Sequence, residues 1–109
     1  MNFRVIPTPE AEEDIIDFTC YFLQHSVPTA QRFLDCVDQT YKILSRMPTL
    51  GSLRFFRSPE MQDVRTWAVK NFRNYILFYR IDEKRVIILR VLHAAMNYEE
   101  MFNREDEIE

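Results

Sequence analysis

Three side chains in the second half of the sequence, Arg65, Arg90 and His93, have the chemistry needed to act together on a phosphodiester bond. Cleavage of RNA by transfer of the phosphate to its 2′-oxygen requires a base, an acid that protonates the leaving oxygen, and cations that stabilise the charge of the phosphorane. Two guanidinium groups and an imidazole supply the cations and the acid, and the carboxylate of Glu60 is a candidate base. If the chain is an enzyme, these residues predict an endoribonuclease.

The strand expected around His93 argues against such a catalytic centre. Side chains alternate between the two faces of a strand. This alternation places His93 on the face of Leu89 and Val91, and it places Arg90 on the other face with Ile88. Because the two groups do not converge, the sequence favours a protein that acts by binding over one that acts by catalysis.

The same cationic residues are candidates for binding a macromolecule, because charge is unevenly distributed along the chain. The formal net charge of −3 comprises −3 over residues 1–53, +5 over residues 54–90 and −5 over residues 91–109. The basic middle segment can present a positive face to an acidic partner, although the whole chain is not the strongly cationic object expected of a general nucleic-acid binder. We expect the target to be contacted by Arg65, Arg73, Arg90 and His93.

Two amphipathic helices are expected to follow a short first strand at residues 3–6. Thr8 can cap the first helix and Pro9 suits its first turn, where several carboxylates also favour the helix dipole. Apolar residues recur at helical spacing until Ser26, Val27 and Pro28 (26–28) interrupt the pattern and start a second helix, which continues to Arg46. A break this short requires the two helices to fold back as a hairpin.

Beyond the helices the apolar pattern has the period of a strand. Residues 64–69, 75–81 and 86–92 are rich in β-branched and aromatic residues, and Gly51 supplies a permissive backbone in the loop before them. Short polar links predict a three-stranded antiparallel meander, with the first strand added at one edge and the helices covering one face. The predicted fold class is α+β, in the order β-α-α-β-β-β, and residues 98–102 can add a short C-terminal helix.

The composition predicts one cytoplasmic domain. With 109 residues, 47% of them apolar, the chain is able to bury one core without disulfides or a structural metal. It has no apolar run long enough for a membrane span and no signal-peptide pattern, and we expect Cys20 and Cys36 to be buried free thiols. Nothing in the sequence resembles a phosphate loop, a nucleophile elbow or a metal cluster, so we expect no cofactor and no metal. We assign residues 1–103 to the domain and residues 104–109 to an acidic tail.

Four segments give the chain a resemblance to the RelE/ParE superfamily of type II toxin–antitoxin toxins, and in particular to its ParE-like members. These segments are TPEAEEDI (8–15), AQRFL (30–34), PTLG (48–51), and YILFYR (75–80) followed by ILRVLHAA (88–95). The resemblance implies the toxin fold of this superfamily, growth arrest, a role in plasmid stabilisation, and neutralisation by a cognate ParD-like antitoxin. ParE-like members inhibit DNA gyrase, whereas RelE-like members cut messenger RNA on the ribosome.

Gyrase inhibition is the function that the sequence favours, because lysines are few for a ribosome-binding nuclease. The alternatives are a ribosome-dependent mRNA endoribonuclease and an inactive toxin that only binds its antitoxin. Many ParE-like chains have an arginine where this one has Met96, which is the reason for keeping the last alternative. ParE-type antitoxins lay a helix and an extended segment across the toxin, and the residues expected to contact them are Tyr21, Phe22, Tyr41, Phe55 and Phe56.

Overall fold

The structure, a computed structural model, describes residues 2–54, 56 and 59–96. Its elements are, in order, β1 (Arg4–Pro7), α1 (Pro9–Leu23), α2 (Val27–Arg46), β2 (Ser52–Leu53), β3 (Arg65–Val69), β4 (Phe72–Asp82) and β5 (Arg85–His93). Short 3-10 helices occupy Pro48–Leu50 and Pro59–Met61. The helix predicted at residues 98–102 and the acidic tail at 104–109 lie outside the described residues.

Both helices begin where the sequence predicts. The hydroxyl of Thr8 accepts a hydrogen bond from the backbone N–H of Ala11 at 3.2 Å, and the hydroxyl of Ser26 accepts one from Thr29 at 3.3 Å. Each cap satisfies an amide that the helix itself leaves without a partner. Within the described part of the chain, neither helix combines the length and the apolar character that crossing a membrane demands.

The strands form one five-stranded sheet in the order β1-β5-β4-β3-β2. The first strand lies at one edge, as predicted, and runs parallel to β5, whereas the other neighbouring pairs are antiparallel. Apolar residues of both helices pack on one face of the sheet, around Phe33, Leu77 and Tyr79. A smaller cluster on the opposite face contains Phe56, Val64, Phe78 and Leu92, so the sheet is apolar on both sides.

The sheet differs from the prediction at its far edge and in its turns. The two-residue strand β2 was not predicted, because so short a segment has no detectable period. The hairpin turns consist only of Lys70-Asn71 and Glu83-Lys84, so β4 starts at Phe72 and is longer than expected. Asn71 and Glu83 take positive φ angles of 65° and 57°. Of the two cysteines, Cys36 is buried as expected but Cys20 is exposed.

A β-bulge interrupts the pairing of β4 with β5. Phe78 pairs with Arg90 and Tyr79 pairs with Ile88, which leaves Leu89 without a partner in the ladder. The extra residue shifts the side chains that follow it to the opposite faces.

Because of the bulge, the side chains of β5 do not alternate between the two faces as the sequence predicts. Ile88 and Val91 both belong to the core beneath the helices, whereas Leu89 and Leu92 pack in the cluster on the other face. Leu89 is therefore not on the face of Val91 and His93, because strict alternation does not continue through a bulge.

One buried polar group in the core leads to a stability prediction. The hydroxyl of Tyr41, a residue of α2, has no hydrogen-bond partner among the described residues. An unsatisfied buried hydroxyl opposes folding, so we expect Tyr41→Phe to raise the free energy of unfolding at neutral pH by about 1 kcal/mol. Chemical denaturation of both proteins measures the difference, and a loss of stability in the variant would show that the hydroxyl has a partner.

The same residue should make stability depend on alkaline pH. Burial, with a further contribution from Glu12, raises the pKa of Tyr41 above its ordinary value of 10.0. The folded state therefore keeps the phenol protonated while the unfolded state ionises it, so stability falls as the pH rises above the unfolded pKa. Between pH 8 and pH 11 we expect the wild type to lose more stability than Tyr41→Phe.

Candidate functional site

Arg90 is held by a carboxylate that sequence analysis did not assign. Its Nε lies 2.7 Å from Oδ2 of Asp14 and its Nη2 lies 2.9 Å from Oδ1, which makes a bidentate pair. The hydrogen bond that Arg90 donates to Asp14 is the main reason that the pKa of Arg90 is raised. Oδ2 also accepts the backbone N–H of Val91 at 3.0 Å. Since β1 pairs with β5 only as far as Ile88, the edge of β5 beyond that residue has no neighbouring strand, and Asp14 accepts a backbone N–H there.

Arg65 fixes the loop that connects the helices to the sheet. Its Nη1 donates to the carbonyl of Gly51 at 2.7 Å, and the hydroxyl of Tyr79 accepts the Gly51 N–H at 2.9 Å. The same hydroxyl donates to the carbonyl of Pro48 at 2.7 Å. We call the loop 48–51 together with Arg65 and Tyr79 the loop clamp. Arg65 thus has a structural role that its sequence position did not reveal.

The loop clamp also gives a different reason why residue 51 is a glycine. Gly51 has φ −66° and ψ 145°, a conformation open to any residue, so the expected need for a permissive backbone is wrong. A Cβ at this position would overlap with the Tyr79 hydroxyl and would lie 2.8 Å from the carbonyl oxygen of Thr66. The glycine is needed because other groups approach it closely.

The structure does not bring the proposed nuclease residues together. Arg65 pairs with Tyr79 across β3 and β4, whereas His93 pairs with Tyr75 on the other side of β4. Four residues along a strand and two strand spacings separate their backbones by roughly 16 Å. Glu60 is exposed in the turn at Pro59–Met61. These residues do not form one acid–base centre.

His93 instead lines an aromatic pocket between α1 and the end of β5. Its ring packs edge-on against Tyr75 with the centroids 5.0 Å apart, and Tyr75 packs edge-on against Phe18 at 4.9 Å. The Nδ1 atom of His93 accepts the backbone N–H of Ala95 at 3.0 Å. The pocket has a volume of about 480 Å³ and is lined by Asp17, Phe18, Tyr21, Tyr75, His93, Ala95 and Met96. We call it the aromatic pocket.

A second concave region lies along the outer edge of β3. Because β2 pairs only with Arg65 and Thr66, the rest of β3 has no neighbouring strand on that side. The resulting groove has a volume of about 640 Å³ and is lined by residues that include Ile43, Trp67, Val69, Lys70 and Arg73.

Most cations of the basic segment are occupied by intramolecular contacts, but two beside this groove are not. Arg80 pairs with Asp63 at 3.2 Å, and Arg85 pairs with Asp82 at 2.6 Å. The side chains of Lys70 and Arg73 are exposed and make no hydrogen bond or ion pair within residues 2–54, 56 and 59–96. Of the four residues expected to contact a target, Arg73 is therefore the one whose exposed side chain makes no such contact, since Nδ1 of His93 accepts the Ala95 N–H.

The residues expected to contact an antitoxin have different environments. Tyr21 is 54% exposed, whereas Phe22 is half-buried among the rings of Phe33, Phe72 and Tyr75 and Tyr41 is half-buried against the core. Phe56 is only 4% exposed, so its assignment to a partner surface is wrong: its ring is needed to fill the second core. Phe55 lies outside the described residues.

An exposed apolar stripe that sequence analysis missed runs along the helical hairpin. Ile16, Leu23, Val27 and Leu34 are 60%, 48%, 65% and 39% exposed. Residues at equal distances from the turn of an antiparallel hairpin lie side by side, which places Leu23 beside Val27 and Ile16 beside Leu34. We call these four residues the hairpin stripe. Their seven-residue spacing on each helix was the signal available in the sequence.

The fold is similar to those of two solved toxin–antitoxin structures. One is the chromosomal ParDE toxin–antitoxin system from P. aeruginosa, with a TM-score of 0.67 and 20% sequence identity over 84% of this chain and 95% of that chain. The other is the RelBE2 toxin–antitoxin complex from Mycobacterium tuberculosis, with a TM-score of 0.54 and 23% identity over 85% of this chain and 99% of that chain. At these identities the similarity establishes the fold.

The family is established by the sequence. No curated protein matches the chain. The family model described as "ParE toxin of type II toxin-antitoxin system, parDE" matches residues 5–98, which include both helices, β2 to β5 and all of β1 except Arg4. The chain therefore belongs to the ParE toxin family of type II toxin–antitoxin systems, as the four sequence segments predicted.

Proposed function

We propose that this protein is a toxin that inhibits DNA gyrase by binding to it, and that a cognate antitoxin neutralises it. We favour binding over catalysis because the candidate nuclease residues lie far apart in the structure. Arg65 and Arg90 are engaged by the loop clamp and by Asp14, and His93 lies roughly 16 Å from Arg65. An endoribonuclease needs an acid, a base and cations around one phosphate, and the described residues do not offer that arrangement.

We assign the hairpin stripe as the surface that the antitoxin binds. Four large aliphatic side chains, two on each helix, are exposed, and the hairpin geometry places them side by side in two pairs. A surface of this kind is suited to the apolar face of an amphipathic helix. The charged edge of β3 is a separate surface, and we assign Arg73, together with Lys70, to the target.

Purified components separate gyrase inhibition from mRNA cleavage. The toxin is added to gyrase, relaxed plasmid and ATP, and the loss of supercoiling is measured with and without stabilised DNA breaks. A parallel reaction contains programmed ribosomes and labelled mRNA. Inhibition of supercoiling with intact mRNA is the expected result, and cleavage of mRNA with unaffected gyrase would replace this proposal with the endoribonuclease.

In cells the same distinction appears in the order of events. Tightly controlled expression should arrest growth and induce a DNA-damage reporter while pulse-labelled protein synthesis continues. Immediate loss of synthesis without the reporter would contradict gyrase inhibition. Growth without arrest, with soluble protein confirmed, would contradict toxicity and leave a protein that only binds its antitoxin.

Reversing the charge at Arg73 should weaken the toxin without affecting its neutralisation. We expect Arg73→Glu to raise the concentration needed for half-inhibition of gyrase by about tenfold at low salt, because it replaces an attraction with a repulsion at an exposed site. Arg4→Glu, at the opposite edge of the sheet, is the matched control and should change inhibition little. Equal loss in both variants would indicate a general effect of net charge.

The antitoxin surface should show the reverse pattern. Ile16→Glu and Leu34→Glu place charges in the hairpin stripe without disturbing a buried residue. Each should weaken antitoxin binding about tenfold or more while gyrase inhibition is retained, because a charge is desolvated against an apolar helix face. Calorimetric titration with the antitoxin measures the change, and unchanged affinity in both variants would remove the stripe from the interface.

A further inference from the structure

We propose that the aromatic pocket binds the side chain of an arginine presented by a protein partner. The inference goes beyond the proposed function and does not depend on gyrase being the target. It concerns a site with one carboxylate, three aromatic rings and a histidine, at the junction of α1 and β5.

The rings provide surfaces that attract a cation. Phe18, Tyr21 and Tyr75 line the same cavity, and Tyr21 is more than half exposed, so a side chain entering from solvent reaches its ring. Burial, with a contribution from Tyr21, raises the pKa of Tyr75, which therefore remains a neutral phenol at physiological pH. The face of an aromatic ring is negative, and a guanidinium within about 6 Å of it is stabilised.

The carboxylate gives the pocket its preference for positive charge. Asp17 is exposed at the cavity wall and makes no hydrogen bond or ion pair with the other described residues. Glu10 and Glu13 precede it on α1, and both are near enough to Arg90 to affect its pKa. Arg90 does not form an ion pair with Asp17, because its guanidinium pairs with Asp14.

The histidine is held at the pocket wall by a contact within the chain. Its Nδ1 atom accepts the Ala95 N–H at 3.0 Å, and its ring packs edge-on against Tyr75. An arginine suits this combination better than a lysine, because a planar guanidinium stacks on an aromatic ring while its N–H groups pair with a carboxylate. The volume of about 480 Å³ accommodates such a side chain.

The test uses the full chain and two short peptides followed by NMR. Acetyl-Gly-Arg-Gly-amide is titrated against the protein while the ring resonances of Tyr21, Tyr75 and His93 are monitored. Acetyl-Gly-citrulline-Gly-amide, which has the same shape without the charge, is the matched ligand. Saturable shifts of these resonances with the arginine peptide, and at least threefold weaker binding of the citrulline peptide, are expected.

Two variants connect the binding to the pocket. Asp17→Asn and Tyr21→Leu alter exposed residues, and each should weaken binding of the arginine peptide by about threefold to tenfold. Asp38→Asn removes a carboxylate from α2 and should leave its affinity unchanged. Equal binding of the two peptides, or unchanged affinity in both pocket variants, would overturn the proposal.

A second occupant is tested in the same spectra. Arg104 is the one cation in residues 97–109 of the sequence, and these residues follow Met96 at the pocket wall. If Arg104→Gln alone shifts the Tyr21 and Tyr75 resonances and strengthens peptide binding, the chain's own arginine occupies the pocket, and the proposed partner is wrong. Unchanged spectra are the expected result.

Discussion

Replacing Gly51 with alanine is expected to lower the free energy of unfolding by about 3 kcal/mol, through overpacking and a weakened hydrogen bond. The added methyl group would overlap with the Tyr79 hydroxyl and lie 2.8 Å from both Cε1 of that ring and the Thr66 carbonyl oxygen. The hydroxyl is unable to yield freely, because it donates to Pro48 and accepts from Gly51 itself. Denaturant titration followed by circular dichroism measures the loss.

Two further variants test the cause. Ser52→Ala changes the neighbouring residue, which is exposed, and should alter stability by less than about 0.5 kcal/mol. Tyr79→Phe removes the hydroxyl, so its combination with Gly51→Ala should cost less than the sum of the two single variants, because part of the clash is relieved. Additive losses, or a Gly51→Ala protein as stable as the wild type, would contradict the close approach described for the loop clamp.

Replacing Asp14 with alanine is expected to cost about 2 to 3 kcal/mol, because a partly buried guanidinium and a backbone amide lose their common acceptor. The Asp14 side chain is 13% exposed and that of Arg90 is 24% exposed, so water replaces the carboxylate only in part. Asp17→Ala, one turn further along the same helix, removes an exposed carboxylate and should cost little. Thermal unfolding of the two variants at the same pH makes the comparison.

A double-mutant cycle assigns this loss to the pair. Arg90→Ala combined with Asp14→Ala should be hardly less stable than Asp14→Ala alone, since the second change removes a charge that has already lost its partner. Independent losses would show that the two side chains do not interact. The cycle also determines how activity data should be interpreted: a loss of toxicity in an Arg90 variant is expected from instability and is not evidence of target contact.

The helices and the strand order followed from local signals. Thr8 caps the first helix as predicted, and Ser26, which the sequence marked only as part of the break between the helices, caps the second. β-branched and aromatic runs with a period of two identified β3, β4 and β5, since half-buried strands produce that pattern. The parallel contact between β1 and β5 was predicted only as the addition of a strand at an edge.

The features that escaped prediction depend on contacts between distant residues. The bulge at Leu89 adds one residue to the ladder, and a sequence that alternates normally does not reveal that Leu89 and Val91 lie on opposite faces. Asp14 is one of several carboxylates in the first turns of α1. Each of them interacts favourably with the helix dipole, so the sequence does not distinguish Asp14 from the others. Its role arises only because β5 continues beyond the end of β1.

The candidate site residues were selected by their chemical type, and their arrangement could not be predicted from the sequence. Arg65 and Arg90 were selected because guanidinium groups bind phosphates and carboxylates, and both do bind acceptors, but these belong to the chain itself. Phe56 was selected as an antitoxin contact, whereas its side chain completes a second core on the face of the sheet opposite the helices. A sheet that is apolar on both faces explains why such a residue packs inward.

The parallel pairing of β1 with β5 has a consequence for how the protein acquires its structure during synthesis. Thr8 donates to the carbonyl of Ile88, 80 residues further along the chain, and Arg4 pairs with Arg85. Such pairings give the fold a high contact order, because a long loop must close before the contacts stabilise anything. The helical hairpin makes its local contacts early, but β1 has no neighbouring strand, and Asp14 lacks Arg90, until β5 has left the ribosome. The sheet edge and the aromatic pocket are therefore completed late, and a chain whose translation stops before Arg85 acquires neither.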